Sequence, residues 1–157
     1  MADPAVPAIR KIAAAMMQAI ATARPDLHGF IDRSQAEPLN EGQWPGYVLR
    51  YEVKWSLAPD LGQYYHTATM SFECQSGNSA GATLDLTNQR SVADIHNALM
   101  ADPSLGGRLD DLQPIGSDQT QPESADVGSA VLQMQATYYT LIHDINVIVG
   151  VGGQQFP

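Results

Sequence analysis

From Ser91 to Thr140 the hydrophobic pattern changes period. Val92, Ile95, Ala98 and Leu99 recur at helical spacing and predict a helix with one narrow apolar face. Ser91 is placed to cap it, since a serine hydroxyl can accept a bond from a first-turn amide, and Asp94 suits the positive end of the dipole. Pro103 disfavours helix at Asp102 and ends the element there. Gly106 and Gly107 supply a turn, with Leu109, Leu112 and Ile115 in or beside a short strand. From Gly128 to Thr140 the period becomes two. Ala130, Leu132, Met134, Ala136 and Tyr138 take one face, and Gln133, Gln135, Thr137 and Tyr139 take the other, the pattern of a half-buried antiparallel strand.

The first half carries the same two periods. Asp3 and Pro4 mark the start of a first helix, Pro7 falls in its first turn, and Val6, Ile9, Ile12, Ala13, Met16 and Ile20 line one side until Pro25 stops it near Ala23 or Arg24. His28 to Ile31 predicts a short strand, with Asp32 as a turn residue at its end. Ser34 to Gly46 then reads as a polar loop in which Trp44 is a core plug or a contact for a partner. Tyr47 to Leu57 alternates, with Tyr47, Leu49, Tyr51, Val53 and Trp55 opposite Arg50, Glu52 and Lys54. A loop from Ala58 to Gly62 leads into Gln63 to Gln75, where His66, Ala68, Met70, Phe72 and Cys74 share a side. The two runs predict a long antiparallel hairpin. Ser76 to Gly81 is a small-residue loop, and Thr83 to Leu86 is expected to be extended. Gln113 to Val127 reads as a long acidic loop holding Asp118, Glu123 and Asp126 after the Asp110–Asp111 pair. Residues 1–149 form a single α+β domain, followed by a flexible tail over 150–157.

Composition narrows what such a domain can do. Charged residues make up only 16% of the 157, against 44% hydrophobic, which points to surface held against copies or partners, or to polar uncharged loops. The formal net charge is −9 with eight Lys and Arg, so the basic patch of a nucleic-acid binder is missing and tight DNA binding is not expected. Cys74 is the lone cysteine, so no intramolecular disulfide forms. No signal peptide is expected at the N-terminus, and no apolar stretch of ~20 residues is present to span a membrane. Two cations on the first helix are too few for an amphipathic membrane anchor.

No constellation of catalytic side chains emerges, and no enzyme, cofactor or metal is expected. His143 and Asp144 are adjacent but lack further ligands at matching spacing. Cys74 and His66 lie eight residues apart on one predicted strand face, ~26 Å of extended chain, so they cannot act as nucleophile and base. His96 falls on the helix, exposed or partly packed. Asp110 and Asp111 are neighbours, and successive strand residues point to opposite faces. Gly106–Gly107 precedes no Lys-Ser or Lys-Thr, so no phosphate loop is present.

The stretch IHNALMADPSLGGRLDDLQPIGSDQ and the closing strand ending in YYT resemble the tail terminator (tail completion) proteins of long-tailed bacteriophages and related gene transfer agents. Ala98, Leu99, Asp102, Leu105, Gly106 and Gly107 match the family's post-helix pattern, and Tyr138, Tyr139 and Thr140 match its final strand. The likeness is strongest from Tyr47 to Ile148, and its motifs are structural. It implies an α+β subunit in which an antiparallel sheet of four to five strands carries two helices on one face. It further implies a homo-oligomeric, hexameric ring that caps the tail tube at the neck, ends tail polymerisation, and joins tail tube protein to head-completion proteins. Such a protein is made in the bacterial host cytoplasm and resides in the virion, with DNA passing through its lumen without specific binding. Asp110, Asp111, Asp118, Glu123 and Asp126 are the candidate lumen-facing acidic segment, since acidic groups repel phosphate where a basic lumen would trap it. The alternatives are another neck or tail component, such as a head-completion, stopper or tube protein, and a small-ligand-binding α+β domain with Tyr47, Tyr51, Trp55, Phe72 and Tyr138 lining a pocket.

Overall fold

A computed structural model describes residues 6–31, 39–58, 61–77, 84–120 and 127–157. The chain forms two helices and a seven-stranded, mostly antiparallel mixed sheet. Helix α1 spans Ala8–Ala23 and strand β1 His28–Ile31. The hairpin is β2 (Gly46–Ala58) and β3 (Gln63–Gly77). Helix α2 covers Leu84–Met100, followed by β4 (Asp111–Thr120) and β5 (Val127–Leu141). Two short strands close the chain, β6 (Ile148–Val149) and β7 (Gln155–Phe156). The sheet runs β1-β2-β3-β5-β6-β7, with β4 also paired to β5. The expected four to five strands are therefore exceeded. β1 is the short strand expected at His28–Ile31 and pairs parallel to Gly46–Leu49; the additions are β6 and β7, two residues each, below the length at which alternation can be seen.

The alternating residues of β2, β3 and β5 bury one face. Tyr47, Leu49, Met70, Phe72, Cys74, Leu132, Met134 and Tyr138 join Ile12, Met16 and Ile20 of α1 and Ile95 and Leu99 of α2 in one core. Both helices thus sit on the same side of the sheet. Arg24 fastens the end of α1 to the middle of α2, its Nη1 donating to Asp94 Oδ2 at 2.7 Å while Nη2 reaches Asp26 at 2.8 Å. Cover by the helices runs out along β2. Tyr47 to Leu49 are buried, whereas Trp55 and Leu57 are 54% and 58% exposed.

Helix α1 begins one turn later than its capping signals imply. Asp3 and Pro4 lie outside the described residues. Pro7 is the N-cap instead of a first-turn residue, and its carbonyl accepts from Arg10 and Lys11. Val6 precedes the helix and is exposed.

Helix α2 requires a larger correction. Ser91 is not its cap but sits buried in its interior, donating to the Thr87 carbonyl at 3.2 Å. Leu84 to Leu86 are helical, not extended. The buried stripe continues upstream through Asn88, which is polar and therefore broke the apolar pattern; its Oδ1 accepts from Ser76 Oγ at 2.8 Å. The helix ends at Met100, as Pro103 requires. Leu105, Gly106 and Gly107 then turn the chain with φ of 51°, 70° and 89°.

The long acidic loop is also shorter than expected. Gln113 to Thr120 belong to β4, paired with β5 from Asp111↔Thr137 to Thr120↔Ser129 with a bulge between Pro114 and Gly116. Residues 150–157, expected as a flexible tail, carry a 3₁₀ turn at Val151–Gly153 and β7, which pairs with β6. The guanidinium of Arg108 stands 4.7 Å from the ring centre of Phe156, and Val151 N donates to the Gly107 carbonyl. Trp44 is half-buried, donates to the Leu39 carbonyl at 3.1 Å and lies flat against Gly77, so it plugs the end of the hairpin.

Candidate functional site

The face of the sheet turned away from the helices is mainly polar, with Val48, Tyr65, Val131 and Tyr139 set among its polar side chains. Directly opposed residues of neighbouring strands share a face, so the pairing register arranges them in rows. Lys54, Thr67, Thr137 and Asp111 form one row, running from β2 through β3 and β5 to β4. Glu52, Thr69, Gln135 and Gln113 form the next, and Arg50, Ser71 and Gln133 the one beyond. The register places Arg50 and Lys54 on this face against Glu52, Glu73, Asp111 and Asp118, so acidic positions outnumber basic ones. Arg50 Nη1 meets Glu73 Oε2 at 2.6 Å, and Glu73 Oε1 accepts from Gln75 Nε2 at 3.1 Å. Gln75 Oε1 in turn accepts from Leu39 N at 2.7 Å, which ties the loop before β2 to this network.

The candidate acidic residues do not form one cluster. Asp110 is exposed in the turn before β4. Asp111 opens β4 on the polar face, and its Oδ2 accepts from Gln113 Nε2 at 2.7 Å. Asp118 pairs in register with Val131. Glu123 and Asp126 lie outside the described residues.

The other sequence candidates fall elsewhere. Among the described residues no group of three His, Cys, Asp or Glu is placed to hold a metal. His143 and Asp144 are exposed in the turn after β5, where Asp144 Oδ1 accepts from Asn146 N at 3.0 Å. Cys74 is buried against Tyr47, and burial pushes its thiol up to about 12. His66 is on the same face of β3, far along the strand. It is stacked on Tyr138 and edge-on to Trp55, its Nε2 lies 2.7 Å from Thr140 Oγ1, and its Nδ1 is buried without a partner. Burial lowers its pKa. Tyr47, Phe72 and Tyr138 are core, not the lining of a pocket. A groove of about 560 Å³ does open between α2 and β4, with Val92, Ala93 and His96 facing Pro114, Ser117 and Leu132.

Two features of the site escaped the sequence. The first is which polar residues share a row, because register depends on pairing geometry that no single strand encodes. The second is the state of the sheet edges. β1 pairs only as far as Leu49, and among the described residues no strand lies against the outer side of Arg50–Ala58 or of β4. Exposed Trp55, Leu57 and Ile115 on these edges were the available signal.

No family model and no curated protein matches the chain.

Proposed function

We propose that this chain is a structural virion protein of the tail-terminator class, a ring-forming subunit that caps the tail tube at the neck and offers a joining surface to the head. The observation that carries the reading is the division of the sheet into an apolar face covered by both helices and a mainly polar face, rich in Thr, Ser and Gln, where acidic positions outnumber basic ones. In a ring with the helices outward, that polar face lines the lumen. Uncharged hydroxyls and amides beside an excess of carboxylates give passing phosphates little to hold, whereas a basic lumen would retain them. The resemblance of Ala98–Gly107 and Tyr138–Thr140 to the family's motifs supports the same reading.

The test is electron microscopy of particles produced without this chain. Tails of uncontrolled length, or heads and tails that do not join, are the expected result. Joined virions with tails of normal length would exclude the terminator role.

A further inference from the structure

Independently of the ring reading, we infer that two copies of this chain pair through the outer edge of β2, antiparallel about a two-fold axis at Trp55, so that their sheets run together. The edge is open: β1 stops opposite Leu49, and among the described residues no strand lies against the outer side of Arg50–Ala58. An open edge offers unpaired backbone groups to another strand, and sheets commonly blunt it with proline or a bulge. Here β2 contains no proline, and its register against β3 is unbroken. Its apolar side is bare as well, since Trp55 and Leu57 are more than half exposed where the helices give out.

Which backbone groups point outward follows from β1. His28 is in register with Gly46 and its N donates to the Pro45 carbonyl, so the odd-numbered residues of β2 turn their N–H and C=O groups towards this edge. Val53, Trp55 and Leu57 do the same beyond the end of β1. An antiparallel partner must therefore set odd residues opposite odd ones, where the two exchange both N–H···O bonds. Two stops then choose the register. The partner's β2 runs back towards the column that β1 fills beside Gly46–Leu49, and it ends in its own hairpin turn after Ala58. An axis at Trp55 sets the partner's Ala58 opposite Glu52, clear of Ile31, with Val53 opposite the partner's Leu57 and Lys54 opposite its Ser56. An axis at Lys54 would bring the partner's Ala58 level with Arg50, against the end of β1, and would oppose the two Lys54 side chains directly, which is unfavourable. An axis at Ser56 leaves only Trp55 and Leu57 exchanging bonds. A second copy is the occupant that fits, because the same edge supplies both the outward backbone groups and the apolar side chains that meet them, with no like charges directly opposed. The axis stands perpendicular to the sheet, so both helix layers lie on one side and the two bare apolar shelves become continuous. The contact is isologous and stops at two chains.

Cysteine cross-linking of the full chain tests it, with the wild type as control for buried Cys74. Residues of a bonded antiparallel pair lie ~5.5 Å apart at Cα, within disulfide reach. Trp55→Cys, on the axis, is expected to give a covalent dimer by itself under mild oxidation. Val53→Cys and Leu57→Cys, which both keep Trp55, are expected to give one when mixed and not singly. In sedimentation the wild type is expected to dimerise weakly, at micromolar concentration or above, because a strip this short buries less than the ~1,200–2,000 Å² of a stable interface. Leu57→Pro removes an outward N–H without touching a bond to β3, and is expected to weaken dimerisation roughly tenfold while the far-UV circular dichroism stays that of the wild type. A wild type that is monomeric at every concentration overturns the contact. So does self-association with no cross-link at these positions, cross-linking of Val53→Cys alone as fast as the mixture, or a folded Leu57→Pro chain that dimerises like the wild type. Normal tails in particles lacking the chain would defeat the terminator reading instead and leave this contact standing.

Discussion

The imidazole of His66 lies flat on the ring of Tyr138, their centroids 4.7 Å apart and their planes 8° from parallel. Burial disfavours the imidazolium, so the folded pKa lies below the unfolded value. The unfolded chain therefore takes up this proton first. The contribution is fully present above the unfolded value of about 6.5 and erodes as pH falls from there towards the folded pKa. Urea unfolding at about pH 7.5 and pH 5 is expected to show a smaller loss for His66→Phe than for wild type. Parallel losses in the two proteins would remove His66 from the acid response.

Trp44 and Gly77 form a second coupled pair. A Cβ at position 77 would fall inside the indole ring. Gly77→Ala is expected to cost ~2 kcal/mol. In a Trp44→Ala background the same change is expected to cost less than about half of that, because the obstruction is gone. Additive costs in denaturant titrations would contradict the contact.

Phe156 anchors the end of the chain against the partly buried edge of the core and under Arg108. Phe156→Ala should lower stability by ~1–2 kcal/mol, part of it from the lost cation–π contact. If the final residues contribute nothing to the fold, removing this ring will leave the unfolding midpoint where it was.

Gln133 and Gln135 are exposed in the middle of the polar face. Replacing both with Lys should leave stability within ~0.5 kcal/mol, since neither side chain is buried. On the ring reading, DNA binding at low salt rises in the variant and DNA release from particles slows. Release at the wild-type rate would argue against this face lining the channel.

Cys74 is expected to resist alkylation in the folded protein, because its thiol is buried and its pKa is pushed up to about 12. Modification at the rate of a free thiol without denaturant would show that the core opens readily.

Much of the fold was legible because its central strands obey a strict period of two. Tyr47, Leu49, Met70, Phe72, Leu132 and Met134 announce one buried face, and the hairpin falls where the loop at Ala58–Gly62 places it. Helix α2 extends further upstream than its apolar pattern because Asn88 and Ser91 are polar groups on a buried stripe, satisfied by Ser76 and by the Thr87 carbonyl. The short strand expected around Leu112 runs on to Thr120 as β4, a continuation hidden in the sequence because Pro114 and the bulge break its alternation. The candidate site was less legible. Asp110 and Asp111 could be named, but the row that puts Asp111 level with Lys54 across four strands is a property of the assembled sheet.

The strands outrun the helices. At ~1.5 Å per residue the 16 residues of α1 cover ~24 Å, while the 15 residues of β3 extend ~50 Å at ~3.3 Å each. The molecule is thus two-layered at the Tyr47 end and nearly single-layered at the Ala58 end. Fewer buried contacts hold the second part, so its amides open to solvent at lower free energy than those beneath the helices. Protection against hydrogen exchange should therefore fall along each long strand, and the segment with the least rigidity of its own gains the most order when something comes to lie beside it.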